Sequence, residues 1–175
     1  MTPPPPTTWI EYYMSHGWSE RQIAAYLIIP KFQAALSIVG SGYVIQDVLR
    51  NPRKRSESTY HRIMVALSTS DIIYSFFTWL LTSWPFPKGS QMFARGSVVF
   101  CDVAGFFHLM SIQSTPLLKC SLATYFLVQL KYNWVDSRIK ALEKWLLVLP
   151  WIVGLIPGIV GLATKTLGPY GFICW

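Results

Sequence analysis

Residues 145–164 read WLLVLPWIVGLIPGIVGLAT, twenty positions without a charged side chain. A helix of about 20 mostly apolar residues is long enough to cross the roughly 30 Å hydrocarbon core of a bilayer. A helix buried in a soluble protein seldom runs that far without a polar face. Three further segments satisfy the same length rule. Ile23 to Leu49 is interrupted by Lys31 and Gln33, and Ile63 to Trp84 carries Asp71 as its one charge. Val98 to Leu130 has Asp102 near its start and Lys119 further in. The expected fold is an all-α membrane protein with four transmembrane helices at about 23–49, 63–84, 98–130 and 145–164. Residues 1–22 are expected to form a Pro-rich extracellular tail and 23–175 the transmembrane domain.

Composition agrees with this reading. The 175 residues are 52% hydrophobic and 13% charged, about half the charged share of a soluble domain. Mean hydropathy is +0.35. The net charge of +7 does not point to nucleic acid, because the basic residues sit in short stretches between long apolar ones. That is how a membrane protein distributes charge. A cleavable signal peptide is not expected at the start, since Met1 to Glu20 contains neither Lys nor Arg and so lacks a positively charged n-region.

The loops set an orientation. Arg50, Arg53, Lys54, Arg55 and Arg62 lie between the first and second spans, and Lys131, Arg138, Lys140 and Lys144 between the third and fourth. The opposite side carries Arg21, Lys88, Arg95 and Lys165. The positive-inside rule puts the richer side in the cytoplasm and the amino terminus outside. Cys101 then lies at the outer end of the third span and Cys174 in the outer loop after the fourth. Both face an oxidising compartment, which favours a disulfide between them. Cys120 falls within the bilayer and is expected to pack as a small apolar residue.

Charges inside a membrane are rare and mark function or a buried polar cluster. Asp71 shares a helical face with Ser68 and Ser75. Lys119 shares one with Thr115, Ser111 and His108. Counted from the inner loop residues, Asp71 and Lys119 fall at similar depth, roughly 16 and 18 Å in. An intramembrane polar centre of Asp71, Lys119, Ser68, Ser75 and Thr115 is the expected site, with the two charges paired directly or through a hydroxyl. The alternative is that hydroxyls satisfy each charge locally. No enzyme signature is present: there is no His-Glu-x-x-His, no Gly-rich phosphate loop and no Cys-x-x-Cys. His16, His61 and His108 lie on different elements without metal-ligand spacing. Neither a catalytic role, a metal nor a cofactor is expected.

Several short motifs occur in a fixed order. Leu67-Ser68-Thr69-Ser70-Asp71 lies in the second span. A Cys stands at the outer start of a long third span, and the outer loop ends Ile173-Cys174-Trp175. Tyr60-His61-Arg62, Ser83-Trp84-Pro85 and Leu130-Lys131-Tyr132-Asn133-Trp134 flank the spans. Together these resemble the first four helices of a seven-helix G-protein-coupled receptor, of the secretin-like and cyclic-AMP-receptor-like type found in protists. Tyr125-Phe126 stands where rhodopsin-like receptors carry an acidic-Arg-Tyr motif, which directs the resemblance away from that subfamily. The resemblance implies a truncated seven-helix bundle, an amino-terminal fragment lacking spans five to seven. It implies a multi-pass plasma-membrane protein that senses an extracellular ligand and activates a heterotrimeric G protein. Arg53, Lys54, Arg55, Arg138 and Lys140 would face that partner. The other readings are a four-helix membrane scaffold and a small transporter subunit using Asp71 and Lys119 as a coupling pair.

Overall fold

The computed structural model describes residues 9–51, 59–88, 90, 93–134 and 136–175. Among these, helix α1 (Trp9–Ser15) is followed by α2 (Glu20–Arg50) and α3 (Thr59–Tyr74). Helix α3 continues as π-helical turns over Ser75–Leu80. Helices α4 (Val98–Tyr132) and α5 (Asp136–Thr164) complete the bundle. A short antiparallel hairpin, β1 (Pro169–Tyr170) and β2 (Ile173–Cys174), closes the chain. Four helices, α2 to α5, are long and apolar enough to cross a membrane.

Local chemistry sets the helix ends, and they differ from the hydropathy limits. Helix α2 begins at Glu20 rather than Ile23 because Ser19 makes a capping box. The Gln22 N–H donates to Ser19 Oγ, and the Ser19 N–H donates back to Gln22 Oε1 at 2.9 Å. It ends at Asn51, extended because Pro52 follows. The second span stops at Leu80, not Trp84. The segment Ser83 to Pro87 folds instead as a tight loop with Phe86 and Ser83 fully buried. Gly96 lies against that loop, where a Cβ would come within 2.2 Å of the Pro85 carbonyl oxygen. Asn133, in the left-handed region at φ 51°, terminates α4. Helix α5 starts at Asp136, well before Trp145. The charged stretch 136–144 is a helical extension that hydropathy alone reads as loop.

Helix α2 packs on α3, α3 on α4, and α4 on α5. Helix α4 is the central one, and its buried face is mostly small: Ala104, Gly105, Ser111, Ser114 and Ser121. Small residues let backbones approach where lipid gives no hydrophobic drive to associate. Gly154 of α5 shows how closely. A Cβ there would lie 2.0 Å from Ser114 Oγ and 2.6 Å from the Met110 carbonyl oxygen. Large apolar side chains point outward instead; Phe32, Leu36, Val39 and Tyr43 form such a face on α2.

Part of the segment expected as a Pro-rich tail is helical. Helix α1 docks on the closing hairpin, with Tyr13 stacked on Phe172 at 4.2 Å between ring centroids and Tyr26 beside it at 4.7 Å. The expected boundary at residue 22 therefore falls inside α2. The Pro-rich residues 1–8 lie outside the described residues.

Candidate functional site

Interhelical hydrogen bonds align the four long helices in depth. Ser37 and Ser41 of α2 both donate to Asp71 Oδ2, at 2.6 and 2.9 Å. One residue away, Ser70 and Thr115 hydroxyls meet at 2.9 Å, joining α3 to α4. Ser114 Oγ donates to the Pro150 carbonyl of α5 at 3.1 Å. Asp71 lies nine residues from both Arg62 and Leu80, about 14 Å each way along a helix. That places this layer near the middle of a roughly 30 Å core.

The expected Asp71–Lys119 pair is not formed. Asp71 is half-buried and bonded to α2, whereas Lys119 is exposed on the outer surface of α4. Lys131 does not mark the membrane boundary: α4 has 35 residues, about 52 Å, and overhangs the core. Tyr125 already lies level with Tyr60, the second residue of α3, at 6.2 Å. Lys119 is six residues from that level, about 9 Å, within reach of the interface for a long side chain. Thr115 serves Ser70 and not Lys119. Ser68 is buried, and Ser75 is buried beside Asp71 in the wall of one cavity. Of the expected polar centre, Asp71 and Ser75 are brought together, Thr115 lies one bond network away, and Lys119 is excluded.

That cavity, about 330 Å³, lies between α2 and α3. Tyr26, Pro30, Gln33, Ala34 and Ser37 line it from α2, and Asp71, Tyr74, Ser75 and Trp79 from α3 and its π-helical end. Next to Pro30 in sequence, Lys31 Nζ donates to the Leu80 carbonyl at 3.0 Å and sits 5.0 Å from the Trp84 ring centroid. It caps carbonyls left unpaired at the end of α3.

Cys101 and Cys174 are joined, their Cα atoms 5.2 Å apart. The bond pins the hairpin over the end of the bundle. It brings Trp175 within 5.7 Å of the buried His108 ring, which also faces Tyr74 at 6.0 Å and accepts or donates to Thr78 Oγ1 through Nδ1 at 2.8 Å. His108 is thus a hydrogen-bonded packing residue, and the disulfide is the one signal in the sequence that Trp175 comes near it. In the aromatic cluster outside the spans, burial is the main cause that raises Tyr13 above the ordinary phenol value, with Tyr26, Tyr12 and Tyr170 adding to it.

At the other end, Arg62 of α3 grips Glu143 of α5. The Nε–Oε1 and Nη2–Oε2 distances are both 2.5 Å, and Thr59 Oγ1 donates to Oε2 at 3.0 Å. This fork sits beside Ile63, Tyr125 and Ile139. Sequence reasoning counted Arg62 as a loop charge and passed over Glu143, since residues 81 positions apart carry no local signal. Arg138 and Lys140 are exposed at the same end; Arg53, Lys54 and Arg55 lie outside the described residues. Among the described residues no group of three or more His, Cys, Asp or Glu could hold a metal ion.

Compared with known protein families, characterised proteins and solved structures, the chain matches none of them.

Proposed function

We propose that the chain supplies the first four helices of a seven-helix G-protein-coupled receptor of the secretin-like or cyclic-AMP-receptor-like type. In this reading it lies in the plasma membrane with its amino terminus outside and acts as a receptor rather than an enzyme. The observation that carries the reading is the Cys101–Cys174 bond. It ties the outer end of the central, most buried helix to the hairpin after the fourth span. The hairpin in turn holds Trp175 on His108 and Phe172 on Tyr13. A ligand binding from outside that favours one position of this hairpin would shift helix arrangements through α4. The opposite end would face the G protein with Arg138, Lys140 and the Arg53–Arg55 loop.

Two measurements test this. The reading frame past the Trp175 codon is expected to encode three more apolar segments of about 20 residues. The full product in membranes is expected to raise nucleotide exchange on a heterotrimeric G protein, and Arg138→Ala with Lys140→Ala to lower it. A frame without such segments, together with exchange no higher than in control membranes, would overturn the reading. An amino-terminal tag inaccessible in intact cells would overturn the orientation.

A further inference from the structure

Among the described residues no cation pairs with the Asp71 carboxylate. Ser37 and Ser41 supply hydroxyl hydrogens to one of its oxygens. Arg62 is paired with Glu143, at the far end of α3. Lys31, on the facing helix, is committed to the Leu80 and Leu81 carbonyls. Lys119 points away from the layer. The carboxylate instead lines the cavity of about 330 Å³ between α2 and α3, a volume at the lower end for small-molecule sites.

The remaining walls narrow the chemistry. Tyr26, Tyr74 and Trp79 line the recess, and the Ser37 and Ser75 hydroxyls stand beside the carboxylate. A hard metal ion needs about six oxygen ligands, several of them carboxylates; Asp71 is the single carboxylate in this lining, and among the described residues no group of three or more His, Cys, Asp or Glu could hold a metal. An apolar guest, such as an acyl chain, would leave the carboxylate unpaired in a medium of low dielectric, where an unpaired charge is most costly. A positive charge carried on alkyl or aryl groups meets both demands. Its charge pairs with the carboxylate and its carbon surface lies against ring faces.

We propose that this cavity is a binding site for an organic monocation of the amine or quaternary-ammonium class, with Asp71 as counter-ion and Tyr26, Tyr74 and Trp79 as walls. The proposal deepens the receptor reading by naming a ligand class and rests on that reading for its biological use. Binding is measured on the chain without any G protein, so each can fail separately.

The test uses the purified chain in maltoside micelles, which carry no ammonium group, with empty micelles as the blank. Two probes of the same shape are titrated by saturation-transfer NMR: phenyltrimethylammonium and its neutral carbon isostere tert-butylbenzene. The expected result is saturable binding of the cation, weakened at least about tenfold by Asp71→Asn, the scale of a charge-assisted contact. The isostere binds more weakly and is indifferent to that change. Trp79→Leu leaves the carboxylate in place and is expected to lower cation affinity about threefold; it keeps the proposal testable if Asp71→Asn does not fold. Equal binding of the two probes would make the recess an apolar seat for lipid or another helix and overturn the proposal. Cation affinity unchanged in the folded variants, or displacement of the probe by millimolar sodium, would overturn it as well.

Discussion

Neutralising Glu143 tests how the bundle is held at its Arg62 end. In Glu143→Gln the Arg62 guanidinium loses a two-point ion pair, and Thr59 loses a charged acceptor. The side chains are 27% and 15% exposed, so neither limit applies alone. Exposed pairs are worth about 0–1 kcal/mol, and removing one partner of a buried pair costs about 3–5 kcal/mol. The two-point geometry lies towards the stronger side, which gives about 2 kcal/mol for this site. For a chain of this size that is a fall of about 4–8 °C in thermal midpoint. Arg62→Gln should cost a similar amount. The double variant should cost clearly less than the two singles added, because each single leaves a lone charge and the double leaves none. Unfolding in mixed micelles titrated with sodium dodecyl sulfate measures all four corners of the cycle. A coupling below about 0.5 kcal/mol, the ordinary limit of additivity, would show that the pair contributes no more than a surface contact and refute the reasoning.

Three other outcomes follow from the geometry. Gly154→Ala drives a Cβ into the Ser114 hydroxyl and the Met110 carbonyl, whereas Gly40→Ala meets nothing within 4 Å; the same unfolding titration should show a loss of about 1–3 kcal/mol for the first and almost none for the second. Cys101→Ser with Cys174→Ser should free the hairpin, read as loss of Trp175 quenching by His108, and destabilise by less than the about 4 kcal/mol that chain entropy gives for a 73-residue separation, since the bilayer already restrains most of that loop. Burial opposes the Tyr13 phenolate and raises its pKa above the ordinary 10.0; the contribution of Tyr13 to α1 docking is therefore fully present below about pH 10 and is lost as pH rises through the folded-state value. A Tyr13→Phe difference titration at 295 nm checks this, and Phe172→Ala should move the transition towards the ordinary phenol value.

Unbroken apolar length made the four long helices legible, and that signal survives any error in helix rotation. Their ends were less legible because helices do not stop where lipid stops. Asp136 to Lys144 is helical yet reads as loop by charge. Ser83 to Pro87 is apolar enough to read as helix yet turns back on Gly96. Residues placed at chain positions that topology itself fixes, such as Cys101 and Cys174, could be paired. The partner of Asp71 could not, because spacing gives the face of one helix and not its rotation against the next. Both serines that bond Asp71 lie on α2, and one of them, Ser41, falls in Gly40-Ser41-Gly42, a run that reads as a small-residue packing surface.

Rotation is what the central layer decides. In lipid the outward apolar faces, Phe32 and Leu36 among them, gain nothing from turning inward, so hydrophobicity does not select a helix face. The bonds Ser37 and Ser41 to Asp71, Ser70 to Thr115, and Ser114 to the Pro150 carbonyl join each long helix to its neighbour at one depth. Interhelical bonds of this kind average about 0.6 kcal/mol, so the layer contributes on the order of 2 kcal/mol, about the strength of the single Arg62–Glu143 pair. Its role is therefore to choose one rotational register among several of similar packing energy. That choice has two visible consequences. It turns Gly154 onto Ser114, where only a glycine permits the approach. It also turns the carboxylate of Asp71 away from Lys119 and into the cavity shared with Tyr74 and Trp79, so the packing that fixes the bundle also places an acidic side chain in that recess.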